Sequence, residues 1–323
     1  MKILITGGAG YIGSIVTEVC IERGDEVTVY DNLSTGHRAS VHPGANFLAG
    51  DVGDRGRISS ALKESGAEAV IHMAGFIEAG ESMRNPGKYF INNTCRPVEM
   101  LEAMVETGVN RILFSSTAAV YGDPVTDSID EGHPQHPTNA YGESKLLFER
   151  LLDWYDKIHG IKHAALRYFN AAGASSERGE DHEPETHLIP LVLKTALGKR
   201  DYVEIYGTDY PSPDGTCVRD YIHIRDLAQA HLVALDALGN ESLHYNLGNG
   251  NGYSVREVME TARRVTGVDF EIRESGRRSG DPVILVASSD RISKELGWKP
   301  EHPELLDIIS SAWDWHRSNP DGY

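Results

Sequence analysis

The stretch Lys2-Ile-Leu-Ile-Thr6 followed by Gly7-Gly-Ala-Gly-Tyr-Ile-Gly13 decides the fold. A short apolar run halts at glycines spaced Gly8-x-Gly10-x-x-Gly13 and restarts as a helical pattern, which reads as strand, tight turn and helix. The first glycines, Gly7 to Gly10, let the backbone turn sharply and approach a pyrophosphate, and Gly13 lets helix and strand pack closely. The N-terminus of the new helix offers N–H groups and a favourable dipole to phosphates. A second apolar run, Glu26-Val-Thr-Val-Tyr30, ends at Asp31, placed to accept hydrogen bonds from an adenosine ribose. A carboxylate there repels a 2′-phosphate, so the expected dinucleotide is NAD rather than NADP.

Working outward, a chain of 323 residues has room for a large core and a substantial appendage. The formal net charge of -17 disfavours nonspecific nucleic-acid binding, since no net positive field collects phosphates. It leaves open a small anionic ligand held by a few local arginines. The cysteines, Cys20, Cys95 and Cys217, are widely spaced and form no Cys-x-x-Cys pair, which fits a reducing compartment. The chain opens directly into a strand, without signal core or apolar spanning run, so the expected location is cytoplasmic and off the membrane.

After Asp31, the polar turn Asn32-Leu-Ser-Thr-Gly36 is placed to wrap the adenosine end, and Asp51 closes the next strand where an adenine amino group would lie. Ala69-Val-Ile-His-Met73 is a further strand, and the following Ala74 and Gly75 suit the nicotinamide side of a crevice. His72 reads as a hydrogen-bonded strand-end histidine. Asn92-Asn93 precedes a helix through Met104, Arg111 to Ser115 forms the next strand, and Ser115-Ser-Thr-Ala-Ala-Val-Tyr-Gly122 presents hydroxyls at its carboxyl end. This succession predicts an α/β, doubly wound, mostly parallel sheet with ligands at the strands' carboxyl ends.

Tyr141-Gly-Glu-Ser-Lys145 opens an amphipathic segment, and on a helix Tyr141 and Lys145 share one face at i,i+4. An ammonium there favours the phenolate and lowers the Tyr141 pKa toward a value useful in acid–base chemistry. Tyr141 then takes a proton from a substrate alcohol as hydride leaves for nicotinamide, Lys145 holds the cofactor ribose, and Thr117 hydrogen-bonds the alcohol oxygen. This chemistry fits a dehydrogenase and equally an enzyme that gives the hydride back. The loop from Ser175 to Thr186 is acid-rich, and His182, Glu183, Glu185 and His187 show no recognised metal spacing, so no metal is expected. Val218 to Ile224 reads as a strand whose helix, starting near Asp226 with that residue as N-cap or first-turn acid, returns to the large sheet. Arg219 and Arg278 are candidate ligands of a substrate phosphate.

With these motifs in place, the sequence resembles the extended short-chain dehydrogenase/reductases, and among them the UDP-hexose 4-epimerases, over nearly its whole length. The resemblance rests on Thr6 to Gly13, Asp31 to Gly36, Ser115 to Gly122, Tyr141 to Lys145, Arg167-Tyr-Phe-Asn-Ala-Ala-Gly173, Val218 to His223 and Arg278-Ser-Gly-Asp281. It implies a Rossmann domain at 1–170 and 216–240, interleaved with a smaller α/β substrate-binding domain at 171–215 and 241–323. It also implies an isomerase of carbohydrate metabolism that interconverts UDP-galactose and UDP-glucose with a tightly held NAD. C4 is oxidised, the 4-ketohexose turns, and hydride returns to its opposite face.

By that resemblance Tyr141 is the acid/base, Lys145 its activating partner and Thr117 the hydroxyl at O4. The NAD-contacting positions are Tyr11, Ile12, Asp31, Asn32, Leu33, Ser34, Thr35, Gly36, Asp51, Val52, Asn92, Ser115 and Phe169, beside Met73, Ala74 and Gly75 after the fourth strand. The UDP-sugar positions are Asn170, Leu188, Tyr206, Arg219, Arg278 and Asp281. A homodimer through Val98 to Val105 and Leu146 to Tyr155 is also implied. Two positions depart from the pattern. The segment Gly75-Phe-Ile-Glu78 lacks a lysine found in some members, and Leu285 stands where a bulky tyrosine closes the sugar pocket in others. The smaller side chain suggests room for UDP-N-acetylhexosamines. Hydroxyls at Ser116-Thr117-Ala118, in place of an acidic pair, argue against a dehydratase.

Overall fold

Apolar runs alternating with amphipathic helices build the first part of the chain, seen in a computed structural model that describes residues 1–278 and 282–323. Strand β1 (Lys2–Thr6) buries all but Lys2 and feeds α1 (Tyr11–Glu22) through the glycine turn. β2 (Glu26–Asp31), β3 (Asn46–Ala49), α2 (Arg55–Ser65) and β4 (Ala69–His72) follow. The short helices α3 (Ala79–Ser82) and α4 (Pro86–Phe90) lead through a π-turn at Ile91–Cys95 into α5 (Arg96–Thr107) and β5 (Arg111–Thr117). The chain then visits the second unit for β6 (Ser128–Ile129) and returns through α6 (Ala140–His159) and β7 (Lys162–Tyr168).

Next come β8 (Asn170–Ala172), α7 (Leu188–Ala196), β9 (Tyr202–Tyr206) and β10 (Val218–His223). Helix α8 (Ile224–Ala237) carries the chain back to the first unit, and β11 (Leu243–Leu247) follows. The remainder forms β12 (Gly252–Ser254), α9 (Val255–Thr266), β13 (Glu271–Ser275), β14 (Ile284–Ala287), α10 (Asp290–Leu296) and α11 (Leu305–Ser318).

The large sheet has seven strands in the order β11-β7-β5-β4-β1-β2-β3. Ile5 pairs in parallel register with Val29 on one side and Ile71 on the other. The chain therefore runs outward from β1 in both directions, and this reversal opens a crevice at the carboxyl ends of β1 and β4. One face of the sheet packs Leu4, Val70, Ile112 and Phe114 against Ile58 and Leu62 of α2, Met100 and Met104 of α5, and Phe148 and Leu152 of α6. Burial of each such side chain contributes about 1.5–3 kcal/mol.

The chain divides into Met1–Gly122, Pro134–Tyr168 and Ala228–Tyr245 as one compact unit, and Asp123–His133, Phe169–Leu227 and Asn246–Tyr323 as the other. The boundaries differ from the expected ones at 123–133, 169–170, 216–227 and 241–245, the last because β11 pairs into the large sheet. Residues 123–133 join the second unit because β6 pairs with β14. Residues 216–227 do so because β10 is flanked by β12, β14 and β8, which leaves its ladder no place in the large sheet. Asp226 is the first-turn acid rather than the N-cap: the helix starts at Ile224, and the Asp226 carboxylate accepts from Glu301 N at 3.0 Å and His302 N at 2.9 Å. The second unit's core gathers Ile189, Val192 and Leu193 of α7, Val258 and Met259 of α9 and Ile308 and Ile309 of α11. Among the described residues, no helix is long and apolar enough to cross a membrane.

Candidate functional site

In the first unit the turn after β1 is shaped by what a side chain would strike. Gly7 has φ +74°, and a Cβ on it would lie 2.5 Å from Ala74 N. A Cβ on Gly13 would lie 2.2 Å from Gly7 O. The tight bend is thus at Gly7, while Gly8 lies against Val29, so within the expected set of Gly7, Gly10 and Gly13 it is Gly7 that makes the turn. Gly10 is the N-cap of α1 and no side chain caps that end, which leaves Tyr11 and Ile12 opening the helix with their backbone toward the turn. Gly7→Ala is expected to cost about 1–3 kcal/mol in strain. Thermal unfolding together with calorimetric titration of a dinucleotide checks this, and both stability and affinity should fall.

Asp31 closes β2 with both carboxylate oxygens fixed, Oδ2 by Ala9 N at 3.0 Å and Oδ1 by Leu33 N at 2.8 Å. Leu33 sits at φ 57°, in the left-handed region, and Asn32 Oδ1 accepts from Ser34 N at 3.0 Å. Further along, His37 N donates to Ala9 O at 2.8 Å, which lays residues 32–36 alongside the glycine turn. Asp51 is held by Asn32 Nδ2 at 3.0 Å, Gly53 N at 2.8 Å and Arg96 Nη1 at 3.0 Å, next to the buried Val52. Met73 N donates to Thr6 O at 2.9 Å, bringing Met73, Ala74 and Gly75 to the carboxyl end of β1. A helix N-terminus without a side-chain cap, a glycine cradle that a Cβ would fill and an oriented acid at the end of β2 fit a dinucleotide.

The proton-transfer pair stands at the start of α6. Asn139 caps this helix, accepting from Gly142 N at 2.8 Å, and Tyr141 N donates to Ser82 Oγ at 3.1 Å. Thr117 Oγ1 accepts from Ala119 N at 3.1 Å and is hydrogen-bonded to the Tyr141 phenol. Burial pushes the Tyr141 phenol above its ordinary value, and the Thr117 bond opposes this. The expected depression by Lys145 is therefore not what the side chains produce. Burial dominates, and Lys145 Nζ donates to Ser115 O at 3.0 Å and lies 5.0 Å from the Phe114 ring centre. The Ser115 hydroxyl is bonded to Tyr168.

Burial also pushes the Lys145 ammonium down to about 8, with the Glu149 carboxylate opposing. Between about pH 8 and the ordinary lysine value near 10.4 the unfolded chain holds this proton and the folded chain does not. Stability from this group consequently rises with pH across that window. Denaturant unfolding of native protein and Lys145→Met at stepped pH should give a stability difference that changes between pH 7.5 and 10; a constant difference rejects the assignment.

Two residues, one in each unit, escaped the sequence reading. Asn93, buried in the π-turn beside the expected Asn92, accepts from Phe76 N at 2.9 Å, donates to Phe76 O at 2.9 Å and reaches Ser144 Oγ at 3.1 Å. It fixes the backbone after Gly75, where a Cβ would meet both Asn93 Oδ1 and Lys145 Nζ at 3.2 Å. The only signal for it was the Asn-Asn pair itself. Asp220, buried in β10, accepts from Asn249 N at 2.8 Å, Gly250 N at 3.0 Å and Ala287 N at 3.1 Å, and burial raises its carboxyl to about 6. His72 is the strand-end histidine expected: Nδ1 lies 2.7 Å from Thr6 Oγ1, and burial, then the Lys145 charge, push the ring down to about 3.

In the second unit Asn170, Arg219 and Leu285 sit on adjacent strands. Arg219 pairs with Leu285 across β10 and β14, and Asn170 of β8 pairs with Tyr221. Asn170 Nδ2 donates to Asp220 O at 2.7 Å, and Arg219 Nη1 donates to Pro282 O at 2.8 Å. Arg278 stacks on Tyr206 with 3.7 Å from guanidinium carbon to ring centre, while the Tyr206 hydroxyl donates to Glu204 at 2.6 Å. Leu188 is the first residue of α7, and Phe169 N donates to Leu247 O at 3.2 Å. Asp281 lies outside the described residues.

Comparison with known proteins adds to this geometry. Residues 3–248 match the family model of the NAD dependent epimerase/dehydratase family. The chain is 51% identical over 329 residues to the UDP-glucose 4-epimerase of Streptococcus mutans serotype c, covering 100% of this chain and 99% of that protein. It superposes on the UDP-glucose 4-epimerase of Bifidobacterium longum, solved in complex with NAD+ and UDP, at a TM-score of 0.94 with 36% identity and complete coverage of both chains (100% of each). The UDP-Glc/GlcNAc 4-epimerase of Campylobacter jejuni gives 0.87 with 41% identity, covering 98% of this chain and 99% of that one.

Proposed function

Since the chain belongs to the NAD dependent epimerase/dehydratase family, we propose that it interconverts UDP-galactose and UDP-glucose as an NAD-dependent 4-epimerase. Near-complete coverage of relatives carrying that activity supports this reading, and the observation that carries the chemistry is Tyr141 bonded to Thr117 with Lys145 one helical turn away. The glycine turn, Asp31, Asp51 and Lys145 are assigned to holding NAD. When bound, NAD supplies a hydride acceptor for C4 and, in its oxidised form, a positive charge that favours the phenolate.

Tyr141 accepts the 4-hydroxyl proton as the C4–H electron pair leaves and the C4–O bond becomes a carbonyl. It gives that proton back to O4 when hydride returns to the other face of C4. Thr117 steadies the oxygen through both steps. Burial keeps Tyr141 protonated when no positive charge is at hand, which suits its role as the acid of the return step. Arg219 and Arg278 are assigned to the diphosphate and Asn170, Leu188 and Tyr206 to the rest of the UDP-sugar. The nucleotide then anchors both epimers while the sugar turns.

Incubation of purified protein with UDP-galactose, without added NAD, tests the reading by proton NMR of the sugar. Appearance of UDP-glucose with no net NADH supports it; stoichiometric NADH and an oxidised sugar would establish a dehydrogenase instead. A second reading, turnover of UDP-N-acetylhexosamines, is favoured by Leu285 opposite Arg219. No detectable turnover of UDP-N-acetylgalactosamine would reject it. We also infer a homodimer through Val98 to Val105 and Leu146 to Tyr155, where Val105 and Trp154 are exposed; light scattering at monomer mass would reject it.

A further inference from the structure

The acid-rich loop after β8 brings together side chains that its linear spacing did not pair. Glu180, His182, Glu185 and His187 each offer one ligand atom, and these atoms all lie within 4.8 Å of one another. His187 Nδ1 is 2.8 Å from Glu180 Oε1 and 3.0 Å from Glu185 Oε1, while His182 Nδ1 is 3.3 Å from Glu180 Oε1 and 3.8 Å from Glu185 Oε2. A tetrahedral ion with bonds of about 2.0–2.2 Å has ligand-to-ligand edges of about 3.3–3.6 Å. With Glu185 Oε2 as its ligand atom, the separations of 2.8, 3.3 and 3.8 Å bracket that edge, so small side-chain shifts would complete the cage.

Glu185 gives an independent sign that something belongs there. Its side chain is only 4% exposed, and Oε2 is buried without accepting any hydrogen bond. A buried carboxylate oxygen left so is costly and asks for a cation. Its other oxygen accepts from Thr186 N and His187 N, both at 2.8 Å, which orients the carboxylate as an outer contact orients a metal ligand. His187, with its side chain 43% exposed, leaves the cluster open to solvent on one side.

We propose that Glu180, His182, Glu185 and His187 bind one divalent transition ion of the zinc class. Two imidazoles with two carboxylates suit zinc or its first-row neighbours and disfavour magnesium and calcium, which take oxygen. His187 is the N-cap residue of α7 and makes no side-chain cap, so the ion fastens the loop to the start of that helix. The competing arrangement is an ion-pair cluster closed by protons. Against burial, which would lower it, Glu180 and then Glu185 raise His187 well above its ordinary value, so an ion must displace that proton. The buried His316 feels the Glu180 and Glu185 charges together with those of Lys194 and Asp181.

The purified protein, stripped with a chelator and titrated with Co2+ at pH 7.5, reports the site directly. One equivalent should saturate an intense visible absorption of tetrahedral cobalt, and one equivalent of Zn2+ should abolish it. Glu185→Gln, nearly the same shape, should bind at least tenfold more weakly, while Asp153→Asn, in a separate histidine cluster with His163 and His244, should bind like the native protein. Circular dichroism verifies that both variants are folded. Native protein alone decides the matter if a variant fails to fold: no saturable absorption, or only the weak spectrum of six-coordinate cobalt on surface histidines, overturns the proposal. Unchanged affinity in folded Glu185→Gln also overturns it.

Discussion

Tyr141→Phe is expected to lower turnover of UDP-galactose by about 10²–10⁴-fold, the range that positioned proton transfer contributes, with bound NAD retained. The phenol is the group that Thr117 bonds to, and removing its oxygen leaves the ring and its edge contact with Tyr89, 6.5 Å between centres, in place. Loss should therefore fall on kcat, since the glycine turn and Asp31 are untouched. NMR-followed conversion, combined with absorbance of cofactor on the purified variant, separates chemistry from binding. Near-normal turnover would remove Tyr141 from its role. Loss of cofactor together with activity would assign it to binding instead.

Glu149→Ala should destabilise the protein by about 3–5 kcal/mol, because it strands a buried charge. The Glu149 and Arg167 side chains are 3% and 4% exposed and meet at 2.5 Å, Oε2 to Nη2. Oε1 accepts from Arg167 Nε at 3.0 Å and from the Ser116 hydroxyl, and Arg167 Nη1 donates to Tyr121 at 3.0 Å. Removing both charges, Glu149→Met with Arg167→Met, should cost less than the single change, since no charge is left unpaired. Urea unfolding of both variants checks the order; a single variant within 1 kcal/mol of native protein would show that water reaches the pair. Ser116 lies next to Thr117, so the single variant should also lose activity.

The parts of this protein that were legible in its sequence are those whose physics is local. A strand stopping at glycines, an acid ending the next strand and a Tyr–Lys pair one turn apart carry their meaning within a few residues. Longer-range pairing was not legible. β10 reads like another strand of the large sheet, yet its partners include Ser254 and Ile284, far along the chain. β6 and β14 are only two and four residues long, too short for alternation to announce them. Asp220 and Asn93 act by gripping backbone groups from other segments, which no spacing encodes. Within the glycine turn, which glycine carries the positive φ was not legible either, and it is Gly7.

The crossing of the chain between units also orders the protein's birth on the ribosome. By residue 168 six of the seven strands of the large sheet have been made, and only the edge strand β11 is outstanding. The second unit's core needs α11, with Leu305, Ile308 and Ile309, before its apolar faces are covered. Nascent domains fold from the N-terminus forward. The first unit therefore has its β5–β7 pairing and α6 at hand while β8 is only beginning to emerge. The second must wait, apolar and incomplete, until α11 has been made.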